Sequence, residues 1–286
     1  ADADYGALRR QAGWDGPGGL LKEGPGLCSM TGAGKAYTGR TLIREGVLSL
    51  TQPAAPVGCS GVAVEAGGQL RMTSGTAAGE QAREYAFGGA VTRASQGRAG
   101  FDGASGAGAK GGVRYDPGGQ TSRAVLLSPL FVAGSSCVHV DDAGGNPSAC
   151  NTLTLAGGLA GAAPLLKSGS GSLVIADDAH DMEGAVTIDN GVLQVDADMR
   201  GADVVIAGGS AWLSGTGHVG RVTGTGCVSP GRLAPGRLSA QSVGGGVDFA
   251  FRFTAAGAVT NGNDVLALMF SEAPFAKVLD GEHRIS

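Results

Sequence analysis

Residues 20–50 and 165–195 are two versions of one segment. Laid together without a gap, they match at Leu20/Leu165, Leu21/Leu166, Lys22/Lys167, Gly24/Gly169, Gly26/Gly171, Gly39/Gly184, Ile43/Ile188, Gly46/Gly191, Val47/Val192 and Leu48/Leu193. Ten identities over 31 positions, with the glycines in register, make a repeat. A unit of this kind buries its apolar face by stacking on its neighbours. The repeat therefore confines the chain to a solenoid before any motif is considered.

The second unit can be read residue by residue. A short apolar run, Leu173 to Ile175, follows a glycine turn; a polar excursion leads to Gly184; Val186 and Ile188 alternate with Thr187. A turn at Asn190 and Gly191 then precedes the alternating stretch from Val192 to Val195. Asn-Gly supplies the positive φ that a tight turn needs, and the alternation directs one face inward. Both a hairpin meander and successive coils of a β-helix satisfy this pattern. The coil is the better match, because the strands are three to five residues long and there is little helical crossover material. The expected fold is all-β: a right-handed parallel β-helix, or β-solenoid, with a Gly-rich loop insertion.

Composition points the same way. With 54 glycines, 11 prolines and 5% aromatic residues in 286 positions, the chain has many turns and little bulky core, yet 42% apolar content argues against general disorder. A net charge of −4 argues against nucleic acid or an anionic membrane surface as the main partner. No apolar run reaches membrane-spanning length and no secretory leader opens the chain, so Ala1 to Asp4 suits either the residues just after leader removal or, the preferred reading, a cut within a longer protein.

The repeat resembles the β-strand repeat of bacterial autotransporter passenger domains. The matching residues are Leu20, Lys22, Gly24 and Gly26 at the opening, Tyr37, Thr38, Gly39 and Thr41 in the centre, and Gly46 and Leu48 at the close. The second unit departs in its centre, where Met182, Glu183, Gly184 and Val186 stand, and keeps both ends. Leu213 to Gly220 and Val228 to Gly231 are similar to the Gly-x-Gly and Pro-Gly segment that follows such a unit. The resemblance implies a passenger exposed at the bacterial surface or secreted after cleavage. It also implies a parent chain tethered through a C-terminal β-barrel, and work in adhesion or the capture of a host protein such as a serum regulator. In subtilase-type autotransporters similar repeats follow the protease domain, so the alternative expectation is a structural stalk.

In chain order, the expectation is a single elongated segment over residues 1–286. It comprises a first repeat block at 20–72, a loop-rich insertion at 73–123, a second repeat block at 124–240 and C-terminal rungs at 241–286. The stretch 74–120 is rich in Gly, Ala, Ser and Arg, with weak periodicity, and reads as protruding from the coil. Such insertions are where a repeat scaffold carries recognition. Arg83, Arg93, Arg98 and Arg114 in it, with Asp141 and Asp142 in the next loop, are the candidate partner-binding residues. The expected partner is a host protein or a cell-surface receptor.

Cys137 and Cys150 flank a polar loop. Strand ends joined in that way can approach within disulfide distance, so a bridge between them is expected. Other chemistry finds no support. Gly215, Gly217 and Gly220 reproduce a dinucleotide fingerprint, but no helix follows to face a pyrophosphate. The four histidines never fall at metal-ligand spacing, and no nucleophile sits in a Gly-x-Ser-x-Gly turn. The chain is accordingly expected to need no cofactor or metal and to be no enzyme.

Overall fold

A computed structural model describes residues 14–31, 35–51, 59–76, 80–87, 89–93, 112–119, 121–142, 150–252 and 264–268, with the short strands Leu279–Asp280 and Arg284–Ile285. Among these residues the regular structure is strand alone, and every ladder between strands is parallel. The chain is a right-handed parallel β-helix whose coils turn through three faces.

The first face stacks Leu20–Lys22, the start of Thr41–Leu50, the start of Val62–Met72, Val91–Arg93, Leu130–Val132 and Leu159–Ala160. The second stacks Leu27–Met30, the ends of Thr41–Leu50 and Val62–Met72, Val113–Tyr115, Ser136–Val140, Leu165–Ser168, Val186–Ile188 and Val204–Ile206. Thr41–Leu50 and Val62–Met72 run round the corner between these faces and join them into one sheet. The third face is a nine-stranded sheet that includes Arg83–Tyr85, Arg123–Leu126, Thr152–Leu155, Ser172–Ile175 and Gly191–Val195.

Stacking in register converts the alternation of each strand into columns of like residues. On the third face Leu153, Leu173, Leu193 and Leu213 lie one above another, all fully buried, because those coils are each 20 residues long. On the second face Leu48, Leu70, Val113, Val138, Ile188 and Ile206 form the matching inner column. A thin core built of such ladders removes apolar area from water without bulky residues, at roughly 25 cal/mol per Å².

The Asn190-Gly191 turn makes no hairpin. Val186–Ile188 lies on Leu165–Ser168, and Gly191–Val195 lies on Ser172–Ile175, so the turn is a corner between the second and third faces. The expected insertion also differs from the structure. Arg83–Tyr85, Val91–Arg93 and Val113–Tyr115 occupy the third, first and second faces in turn and complete a coil inside residues 73–123. Tyr85, Val91, Val113 and Tyr115 are fully buried, and these few apolar side chains register the coil within a stretch whose composition suggests a loop. Residues 94–111 of the stretch lie outside the described part of the chain. Val265–Leu268 is half-buried throughout; among the described residues it stacks on Arg237–Gly244 alone.

Candidate functional site

On the outer side of the second face, Ser29, Ser49, Arg71, Arg114, His139 and Ser168 stand in one column, each the register partner of the next. The strands Val113–Tyr115 and Ser136–Val140 are followed at once by Asp116 and Asp141, which places two carboxylates beside the cations. Arg71 pairs with Asp116. Arg114 joins the two acids, with Nη2 2.9 Å from Asp116 and Nε 2.6 Å from Asp141 Oδ2. His139 Nε2 lies 3.2 Å from Asp141 Oδ1, and its Nδ1 lies 2.9 Å from Ser168 Oγ. Burial pushes the Asp141 carboxyl up, but the hydrogen bonds and charges of His139 and Arg114 outweigh it and hold the group well below the usual carboxylate range.

Of the residues read from the sequence as partner-binding, Arg114 and Asp141 are thus brought together, and they satisfy each other inside the protein. The Arg114 side chain is only 9% exposed. Asp142 accepts a hydrogen bond from the Asn151 backbone N–H at 3.1 Å, while the Asn151 side chain donates to the Asp141 carbonyl at 2.8 Å; these bonds fix the return of the loop. Arg83 is half-buried on the third face beside Ala124. Arg93 is the register partner of Val64 and Val132 on the first face, and Arg98 lies outside the described residues. Among the described residues, Arg83, Arg93 and Arg114 stand on the third, first and second faces in turn.

The expected bridge between Cys137 and Cys150 is not formed: both are thiols. The Cys137 sulfur lies 3.0 Å from Ser168 Oγ, whereas the Cys150 sulfur accepts from Arg232 Nη2 at 3.2 Å. Each side chain is held by a different partner, so closing the loop between their strands does not bring the sulfurs into bonding geometry.

The signature residues of the repeat assemble at two corners. At the first, Lys22 Nζ donates to the carbonyl oxygens of Glu23, Gly24 and Glu45 at 3.0, 2.6 and 2.9 Å. At the second, Lys167 Nζ donates to those of Ser168, Gly169 and Asn190 at 3.0, 2.7 and 2.8 Å. Gly46 and Gly191 follow, with φ of +73° and +71°; a Cβ there would stand 2.4 Å from the carbonyl oxygens of Gly24 and Gly171. Lysine in an inner column, with its ammonium turned to the carbonyls that the corner leaves unpaired, is the physical content of the Lys-x-Gly-x-Gly pattern. Burial lowers the amine of Lys22 and brings that of Lys167 down to about 7.

The two corners are not equivalent in the coil. Lys22 precedes the passage from the first face to the second, whereas Lys167 precedes the passage from the second to the third. The repeat therefore encodes a corner rather than a face. Gly215, Gly217 and Gly220 belong to the same logic: a Cβ at these positions would stand 2.1, 2.1 and 2.6 Å from carbonyl oxygens of the preceding coil, and close stacking requires their glycines.

Comparison with the curated proteins finds no match, and neither does comparison with the solved structures. Residues 20–50 and 165–195 both match the passenger-associated-transport-repeat family. These are the two segments that build the lysine corners. The chain carries two repeats of that family, an assignment consistent with an autotransporter passenger domain.

Proposed function

We propose that this chain is a surface-exposed or secreted segment of an autotransporter passenger that holds binding surfaces away from the cell, in adhesion or in the capture of a host protein. The observation that carries the reading is the stack of coils in which two matched repeats serve as corners. Such a stack fixes its backbone internally and leaves its outer columns and corner connections for partners. On the first face the outer column of Leu21, Leu42, Ala63, Thr92 and Phe131 is largely apolar, and Leu21 and Phe131 are 50% and 44% exposed. In sequence, residues 94–111 separate Val91–Arg93 of the first face from Val113–Tyr115 of the second.

The test is a pull-down from host serum and epithelial extracts with three proteins: the intact chain, a Phe131→Glu variant, and a variant whose residues 94–111 are replaced by a short linker. A partner retained by the intact chain and lost from either folded variant supports binding. No retained partner in any arm leaves the structural stalk as the better reading. The internal neutralisation of Arg114 and Asp141 already favours the stalk for the second face.

A further inference from the structure

We propose that Ser168 is an activated nucleophile that takes an acyl group from small esters, with His139 as its general base and Asp141 as a positioning residue. The sequence suggests no covalent chemistry because no serine lies in a nucleophile turn. These three residues instead come from two neighbouring coils, in which His139 and Ser168 are register partners and Asp141 ends the strand that carries His139. The hydrogen bonds run in one direction. Arg114 holds Asp141 Oδ2 at 2.6 Å and leaves Oδ1 to accept from His139 Nε2–H at 3.2 Å; that tautomer presents a lone pair on Nδ1 to the Ser168 hydroxyl at 2.9 Å. The Cys137 thiol, 3.0 Å from Ser168 Oγ, is placed to donate to the oxygen as charge develops on it.

The side chains of His139 and Asp141 are 14% and 22% exposed and Ser168 is 9% exposed, so the proposal requires the ester to approach from the outer side of the sheet. In the step proposed, the Ser168 oxygen bonds to the ester carbonyl carbon while its proton passes to His139 Nδ1. The carbon–oxygen bond to the leaving alkoxide then breaks, and the alkoxide takes the proton from His139 as it departs. A water molecule repeats the sequence on the acyl-serine, releasing the acid and restoring the serine hydroxyl. Nothing is oxidised or reduced.

The probe is p-nitrophenyl acetate acting on the folded chain, read both as p-nitrophenol release and as the acetylated residue mapped by mass spectrometry. The expected result is a burst of one acetyl group per chain, located on Ser168, abolished in Ser168→Ala and retained in Cys137→Ser. His139→Asn slows acetylation by roughly 100-fold, the range of a positioned base. It also removes the fall in rate on the acid side of the pH profile, a change that loss of packing alone would not produce. Asp141→Asn slows the burst, and Asp141→Glu restores part of it. Mapping on the wild-type chain decides the matter even where a variant folds poorly. Acetyl groups scattered over lysines, placed on Cys137, or no faster on Ser168 than on other serines would overturn the proposal.

Discussion

Lys167 Nζ lies 2.8 Å from the carbonyl oxygen of Asn190, 23 residues further along the chain, and so ties a corner of one coil to the same corner of the next. Lys22 makes the corresponding bond to Glu45 at the same separation. Two lysines in inner columns of a thin core are tolerated because each ammonium meets three carbonyl oxygens. A buried charge without such partners would be prohibitive.

Replacement of Lys167 by methionine keeps the volume and removes the donors. It should destabilise the chain by about 3 kcal/mol, through three carbonyls left unsatisfied at the corner. Lys22→Met should cost less, since that amine is nearer solvent. Urea unfolding of the two variants checks the order.

The lowered amine of Lys167 gives the same claim a pH dependence. Between its folded value of about 7 and its ordinary value of 10.5, the unfolded chain binds the proton more tightly than the folded one. Stability from this group therefore rises as pH rises through that window and is lost as pH falls through about 7. The difference in urea midpoint between the wild type and Lys167→Met should widen from pH 7 to pH 10, and a constant difference would contradict the burial of this amine.

Gly191→Ala should cost about 2 kcal/mol or more, because φ is +71° there and the new methyl would meet the carbonyl oxygens of Gly171 and Gly169 at 2.4 and 2.6 Å. Gly209→Ala is the control: its Cβ would meet nothing within 4 Å, so the change should stay within about 0.5 kcal/mol. Thermal unfolding of both variants measures the contrast.

The corner residues also show how far the fold is legible in the sequence. The spaced glycines, the Asn190-Gly191 pair and the alternation of Val186 and Ile188 reveal a coiled β unit, since turn chemistry and side-chain period are local properties. The coil through Arg83–Tyr85, Val91–Arg93 and Val113–Tyr115 is hidden, because three-residue strands carry too few letters to alternate visibly and their stability comes from the coils on either side. The pairing of Arg114 with Asp141 is non-local: nothing along the chain places an arginine of one coil beside a carboxylate that follows the next. The bridge expected from the loop between Cys137 and Cys150 failed for the same reason, as side-chain direction is set by stacking rather than by the length of chain enclosed.

Both of those sulfurs should accordingly react. Alkylation of the unfolded chain without reductant is expected to label all five cysteines, Cys137 and Cys150 included. A peptide pair joined through these two would refute the thiol assignment.

Asp141→Asn should lower stability by about 2 kcal/mol at neutral pH, because the little-exposed Arg114 guanidinium then keeps Asp116 alone. The Asp141 carboxyl is depressed in the folded chain, so its contribution is present above an unfolded value near 3.8 and is lost as pH falls through the lower folded one. The wild type and Asp141→Asn should therefore converge in acid, and equal spacing at all pH values would argue against the ladder.

The central claim is the parallel stacking of successive coils, and oxidative crosslinking across a single register pair tests it most directly. Thr187 and Val205 are partners on adjacent coils of the second face, whereas Thr187 and Gln194 would be neighbours only if the Asn190-Gly191 turn closed a hairpin. Chains carrying Thr187→Cys with Val205→Cys should form the engineered disulfide readily, and chains carrying Thr187→Cys with Gln194→Cys should not. The reverse outcome would contradict the β-helix.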